Sequence, residues 1–170
     1  MAIKLIKGNI FTSNCKTIVN TVNCVGVMGA GIALECRLRY PNMHDRYKEL
    51  CNQNLIQIGK LWLYKSDDKW VLNFPTKRDW KHPSRLEFVE AGLKKFTTIY
   101  KDKNIDSIAF PMLGADRGGL DSETILGVMK KYLDPLAIDV EIYQYDPKAT
   151  DDLYEKLYEF LTLNDIEFLS

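Results

Sequence analysis

Short apolar runs alternate along the chain with longer segments whose apolar residues recur three and four positions apart. The short runs are rich in β-branched and aromatic residues, which suit strands. They predict strands at Ile3–Leu5, Thr17–Asn23, Lys60–Lys65, Trp70–Phe74, Ser107–Pro111 and Asp139–Tyr145. The longer segments predict helices at Gly31–Tyr40, Pro41–Asn54, Pro83–Lys101, Asp121–Leu133 and Thr150–Leu161. In the third helix Leu86, Val89, Leu93 and Phe96 share one face. Pro83, Ser84 and Glu87 suit its start, as Asp121 suits the start of the fourth. Trp62, Tyr64, Trp70 and Leu72 alternate across KSDDK, which reads as a hairpin. The remaining order alternates strand and helix. It predicts an α/β fold with a mixed, largely parallel sheet covered on both faces.

Composition narrows the functional classes. With 170 residues, 46% hydrophobic and 27% charged, the chain fits one globular domain. Its net charge is zero, unlike a protein built for broad electrostatic contact with nucleic acid. No run approaches membrane-spanning length, and MAIKLIKGN lacks the apolar stretch of a secretory peptide, so a cytosolic protein is expected. Cys15, Cys24, Cys36 and Cys51 are scattered, and His44 and His82 are the only imidazoles. Small core residues are the expected role of the cysteines, with a catalytic cysteine the minor alternative. A structural metal site is not expected.

Four segments fall after predicted strands, where α/β sheets bind ligands. Lys7-Gly8-Asn9-Ile10 offers a sharp exit and an amide, or is an ordinary turn. Met28-Gly29-Ala30-Gly31-Ile32-Ala33 places bare backbone at a helix start. Free amides there favour phosphate, although tight packing through small residues gives the same pattern. Asn20 and Asn23 before it can hold sugar hydroxyls or tie down the loop. The third segment, NFPTKRDWKHP, crowds Lys77, Arg78 and Lys81 after a strand; they read as a lysine prepared for nucleophilic chemistry or as a solvated loop. The fourth, FPMLGADRGGLD, repeats the glycine-rich logic of the second. A pair of such loops can grip the two ends of one diphosphate. Arg117 there can meet phosphate or pair with Asp116 or Asp121. Tyr145, at the end of the last strand, can stack on a base or pack at the rim.

GNI after the first strand, VNTVNCVGVMGAGIA and FPMLGADRGGL together resemble a macrodomain over about residues 3–146. The VMGAGIA form and FPTKRDW are similar to the branch that contains terminal ADP-ribose protein glycohydrolase and the macrodomain of the DNA ADP-ribosyl glycohydrolase antitoxin. The resemblance implies a three-layer α/β/α fold and ADP-ribose as ligand. It implies that Gly8, Asn9 and Ile10 line the adenine end and that Tyr145 covers the base. Asn23 and Met28–Ala33 would face the distal ribose and diphosphate, with Pro75 and Thr76 beside them. Leu113, Gly114, Ala115, Arg117, Gly118, Gly119 and Leu120 would close over the other side. Lys77 matches the branch's catalytic lysine. The aspartate that supports the lysine in the protein-directed enzyme aligns with Gly118, so Asp116 is the first candidate for a supporting acid and Asp121 the second, its helix-cap role leading.

The activity this resemblance implies is removal of mono-ADP-ribose, or the terminal ADP-ribose, from a modified macromolecule, with no metal or cofactor. A glutamyl or aspartyl ester on protein is the favoured acceptor and a DNA nucleobase the alternative. The cluster Lys77, Arg78, Lys81 and Arg85 keeps DNA open. A non-catalytic ADP-ribose reader, an ADP-ribose 1″-phosphate phosphatase and an O-acetyl-ADP-ribose deacetylase would use the same pocket. A monomer is expected.

Overall fold

The computed structural model describes residues 3–149. Six strands form one sheet: β1 (Ile3–Gly8), β2 (Thr17–Val22), β3 (Trp62–Lys65), β4 (Trp70–Pro75), β5 (Ser107–Pro111) and β6 (Asp139–Tyr145). Their order is β1-β6-β5-β2-β4-β3. Every neighbouring pair is parallel except β3–β4, the antiparallel hairpin in which Lys65 faces Trp70. Four helices complete the described fold: α1 (Gly31–Arg39), α2 (Pro41–Asn52), α3 (Leu86–Ile99) and α4 (Ser122–Leu133).

Period-two alternation distributes the strand residues between two cores. Val19, Leu72, Phe74, Ile108, Phe110, Val140 and Ile142 pack with Val89, Leu93 and Phe96 of α3 and Ile125, Met129 and Leu133 of α4. Ile18, Val22, Val71, Ala109 and Tyr143 face the other way, against Cys36 of α1 and Met43, Tyr47 and Cys51 of α2. The expected mixed α/β/α sandwich is therefore the fold.

Several boundaries shift for local reasons. β1 runs on to Gly8 because Lys7 and Gly8 pair with Gln144 and Tyr145. A single 3-10 turn, Ile10–Thr12, follows; Asn9 caps it by accepting the Phe11 amide at 3.0 Å. α3 starts at Leu86, not Pro83. Ser84 does not cap it, since its hydroxyl donates to the Thr76 carbonyl and its amide to the Gly118 carbonyl. α2 ends at Asn52, before Asn54 takes a positive φ of 56°. The expected helix Thr150–Leu161 lies outside the described residues.

Gly92 records how closely α3 meets the sheet. A Cβ there would lie 2.2 Å from Phe74 Cζ, on a ring wholly buried in the core. Ala normally favours a helix over Gly by about 1 kcal/mol. Here Gly92→Ala is expected to destabilise, by about 1–3 kcal/mol from overpacking. Denaturant titration would show a lower midpoint; an equal or higher midpoint would mean that α3 does not seat on Phe74.

Candidate active site

All five parallel strands end on one edge of the sheet, so Gly8, Tyr145, Pro111, Val22 and Pro75 mark a continuous rim. The four candidate loops leave from this rim, and hydrogen bonds knit three of them together. The Cys24 amide donates to the Arg78 carbonyl at 3.1 Å, and the Thr76 amide to the Val22 carbonyl at 3.0 Å. Ser84 joins the third loop to the fourth: its amide lies 2.9 Å from the Gly118 carbonyl while its hydroxyl holds Thr76. Lys77 Nζ donates to the Arg117 carbonyl at 2.8 Å.

The second and fourth loops also meet. A Cβ on Gly31 would lie 3.5 Å from Arg117 Nε, so the Arg117 side chain lies over the first residue of α1. Gly31 takes a positive φ of 56°, which glycine adopts without strain. Ala30, the residue before the helix, supplies no side-chain cap. The first amides of an α-helix have no partner within it. At this end of α1 they sit beside the Arg117 side chain, in a loop where Gly29 and Gly31 are exposed.

The fourth loop folds tightly on itself. The Leu120 amide donates to the Gly114 carbonyl at 2.9 Å and the Gly119 amide reaches the Asp116 carbonyl at 3.4 Å. A Cβ at Gly118 would lie 2.3 Å from the Gly114 oxygen, so no side chain, an aspartate's included, has room here. At Gly119 a Cβ would meet nothing within 4 Å. Asp116 and Arg117 are exposed, and among the described residues neither carboxylate, Asp116 nor Asp121, forms an ion pair with Arg117.

Other candidate residues serve as supports. Asn23 is buried and braces the second loop: its Oδ1 accepts the Val25 and Val27 amides and its Nδ2 donates to the Val27 carbonyl at 2.7 Å. The Tyr47 hydroxyl, 2.6 Å from the Asn23 carbonyl and 3.0 Å from Oδ1, holds it from below. Asn20 lies inside the sheet, fully buried, with Nδ2 donating to Asn73 Oδ1 at 3.0 Å. Ile10, Met28 and Leu113 are core side chains, and Pro75 and Thr76 are buried. What these seven offer the rim is placement of neighbouring backbone. Ile32, Ala33, Ala115 and Leu120 are half-buried around the mouth, as are Gly8 and Asn9, and Tyr145 is 75% exposed.

Asp121 caps α4: Oδ2 accepts the Thr124 amide at 3.0 Å and its hydroxyl at 2.9 Å. The amide hydrogen bond holds its carboxyl below the usual range. A depressed folded value means the cap stabilises above the ordinary carboxylate range and is lost as pH falls through the lowered value. Asp121→Ala is therefore expected to lower Tm near neutral pH, with the deficit closing in strong acid; Asp121→Asn, which keeps the acceptor, is expected to melt near wild type. Melts of the three proteins at both pH values decide it.

Cys15, Cys36 and Cys51 are buried and Cys24 is half-buried. Burial raises all four thiols, Cys51 to about 11, which keeps them protonated and poorly nucleophilic. Tyr47 and Ser84 escape sequence reasoning as site supports. Their partners Asn23 and Gly118 lie 24 and 34 positions away, and no local spacing announces such contacts.

The chain belongs to the Macro domain family, whose model matches residues 19–129. Its relatives include a DNA ADP-ribosyl glycohydrolase of Mycobacterium bovis, 41% identical over 122 residues, or 69% of this chain and 35% of that protein. Among solved structures it resembles the macrodomain of Thermus aquaticus DarG, 35% identical with a TM-score of 0.80, over 84% of this chain and 98% of that one. It also resembles Thermosipho africanus DarTG in complex with ADP-ribose, 32% identical with a TM-score of 0.81, over 94% of this chain and 46% of that one. The chain spans 35–41% of the length of the curated glycohydrolases that lead its matches. Among the described residues, no helix is long and apolar enough to cross a membrane.

Proposed function

We propose that the protein removes ADP-ribose from a modified macromolecule, with Lys77 acting at the anomeric carbon of the distal ribose and a DNA nucleobase as the acceptor. The single observation that carries the reading is the meeting of three rim loops: Lys77 Nζ donates to the fourth loop at Arg117, while Arg117 lies over the open start of α1. Diphosphate between the second and fourth loops would neutralise Arg117 and occupy the α1 amides. The ribose beyond it then falls beside Lys77.

As the free amine, Lys77 attacks the anomeric carbon while the bond to the acceptor breaks, its electron pair leaving on the acceptor atom. The proton lost from the attacking nitrogen passes to the acceptor. Water then displaces the lysine, giving free ADP-ribose and restoring the amine. Asp116, exposed on the fourth loop, is the carboxylate proposed to activate that water; Asp121 is occupied as a cap.

Relatives named DNA ADP-ribosyl glycohydrolases, at 36% and 41% identity, support the nucleobase over the glutamyl or aspartyl ester. Four cations between positions 77 and 85 agree with it. The ester remains the second reading, favoured by the zero net charge of the whole chain. Wild-type protein is to be incubated separately with ADP-ribosylated DNA and with protein carrying glutamyl-linked ADP-ribose. Release from DNA is expected. Release from protein alone selects the ester, and ligand binding without release from either makes the domain a reader.

A further inference from the structure

Trp80 stands 53% exposed, three residues beyond Lys77. Isolated exposed apolar residues need no explanation, but this one has a particular setting. Three residues of extended chain span at most ~10 Å, about the reach of a nucleotide and its neighbour. Trp80 sits at the tip of a turn closed by Asp79, whose carbonyl accepts the His82 amide at 3.1 Å and whose Oδ1 accepts the Lys81 amide at 3.0 Å. The turn's base is tied to the second loop through the Cys24 amide and the Arg78 carbonyl. The tip is thus presented from a fixed base.

The surrounding charge is cationic. Lys77, Arg78, Lys81 and Arg85 outnumber the neighbouring carboxylates Asp79 and Glu87, the latter 3.5 Å from Arg85, in a chain whose overall charge is zero. Lys81 Nζ lies 5.5 Å from the Trp80 ring centroid, and the Arg78 guanidinium 4.9 Å from that of Phe88. A half-exposed indole among cations is the pairing that single-stranded nucleic acid uses: bases stack on the ring and phosphates meet the charges.

We propose that Trp80 is a positioning residue for the acceptor strand, stacking on a base next to the ADP-ribosylated one and so holding the modified base at Lys77. This rests on the DNA reading of the site. Stacking needs an unpaired neighbouring base, which a single-stranded oligonucleotide supplies.

The test compares wild type, Trp80→Ala and Trp80→Phe on an ADP-ribosylated single-stranded oligonucleotide and on the ADP-ribosylated mononucleotide. Trp80→Ala is expected to raise KM for the oligonucleotide roughly 10-fold, with kcat little changed and a much smaller effect on the mononucleotide, which has no flanking base. Trp80→Phe is expected to recover most of the loss. An unchanged oligonucleotide KM, or equal losses on both substrates, overturns the proposal. Should wild type release nothing from DNA, the acceptor reading fails by itself. Tryptophan fluorescence titrated with unmodified oligonucleotide then decides the platform: quenching that Trp80→Ala abolishes upholds it, and absence of quenching overturns it.

Discussion

Lys77→Ala is expected to abolish release of ADP-ribose while leaving the nucleotide bound. Removing a positioned nucleophile or proton-transfer group typically costs on the order of 10²–10⁴-fold in rate. In the proposed site the binding energy comes from elsewhere, the glycine-rich backbone of the second and fourth loops. ADP-ribose should therefore still raise the Tm of the variant. Lys77→Arg is the informative companion. It keeps the cation and can still donate to the Arg117 carbonyl, but a guanidinium cannot serve as the amine nucleophile. Equal inactivity of both variants places the chemistry on the amine. Wild-type turnover by Lys77→Arg would reduce Lys77 to a brace between loops.

Gly119→Glu is expected to remove the ligand-induced stabilisation. At 100 times its Kd, a ligand that binds only the native state adds about 2.7 kcal/mol. For a domain of this size that is a Tm rise of roughly 5–10 °C. A Cβ at Gly119 meets nothing within 4 Å, so the carboxylate would enter open space at the mouth and repel a diphosphate bound as proposed. Gly119 has a φ of 78°, which costs a residue with a side chain about 1–2 kcal/mol. Gly119→Ala carries the same strain without the charge and should keep most of the shift. A wild-type shift in Gly119→Glu would mean that the fourth loop does not face the phosphates. Gly118 behaves differently. Its Cβ would strike the Gly114 oxygen, so a substitution there reports on loop folding and not on phosphate binding.

Much of the sandwich was legible because strand residues alternate and α3 and α4 carry clear apolar faces. The shared small-residue pattern of the second and fourth loops was legible, and the structure brings the two together where Arg117 lies over Gly31. Three features were hidden. Ser84 reads as a helix cap from its neighbours, but long-range contacts with Thr76 and Gly118 claim it and α3 begins two residues later. Asn20 reads like Asn23, an amide near a strand's end, yet the register pairs it with Asn73 inside the sheet. Asn23 itself proves to be a loop brace, held by a tyrosine on α2. Each depends on a partner distant in sequence, which periodicity does not encode.

A crystal of the protein soaked with ADP-ribose would show whether the two glycine-rich loops hold one diphosphate. The diphosphate is expected between the start of α1 and the loop 114–119, touching Arg117, with the anomeric carbon of the distal ribose facing Lys77 Nζ. Nucleotide bound instead at the cleft lined by Tyr40, Tyr64 and Asp68, at the hairpin end of the sheet, would contradict it.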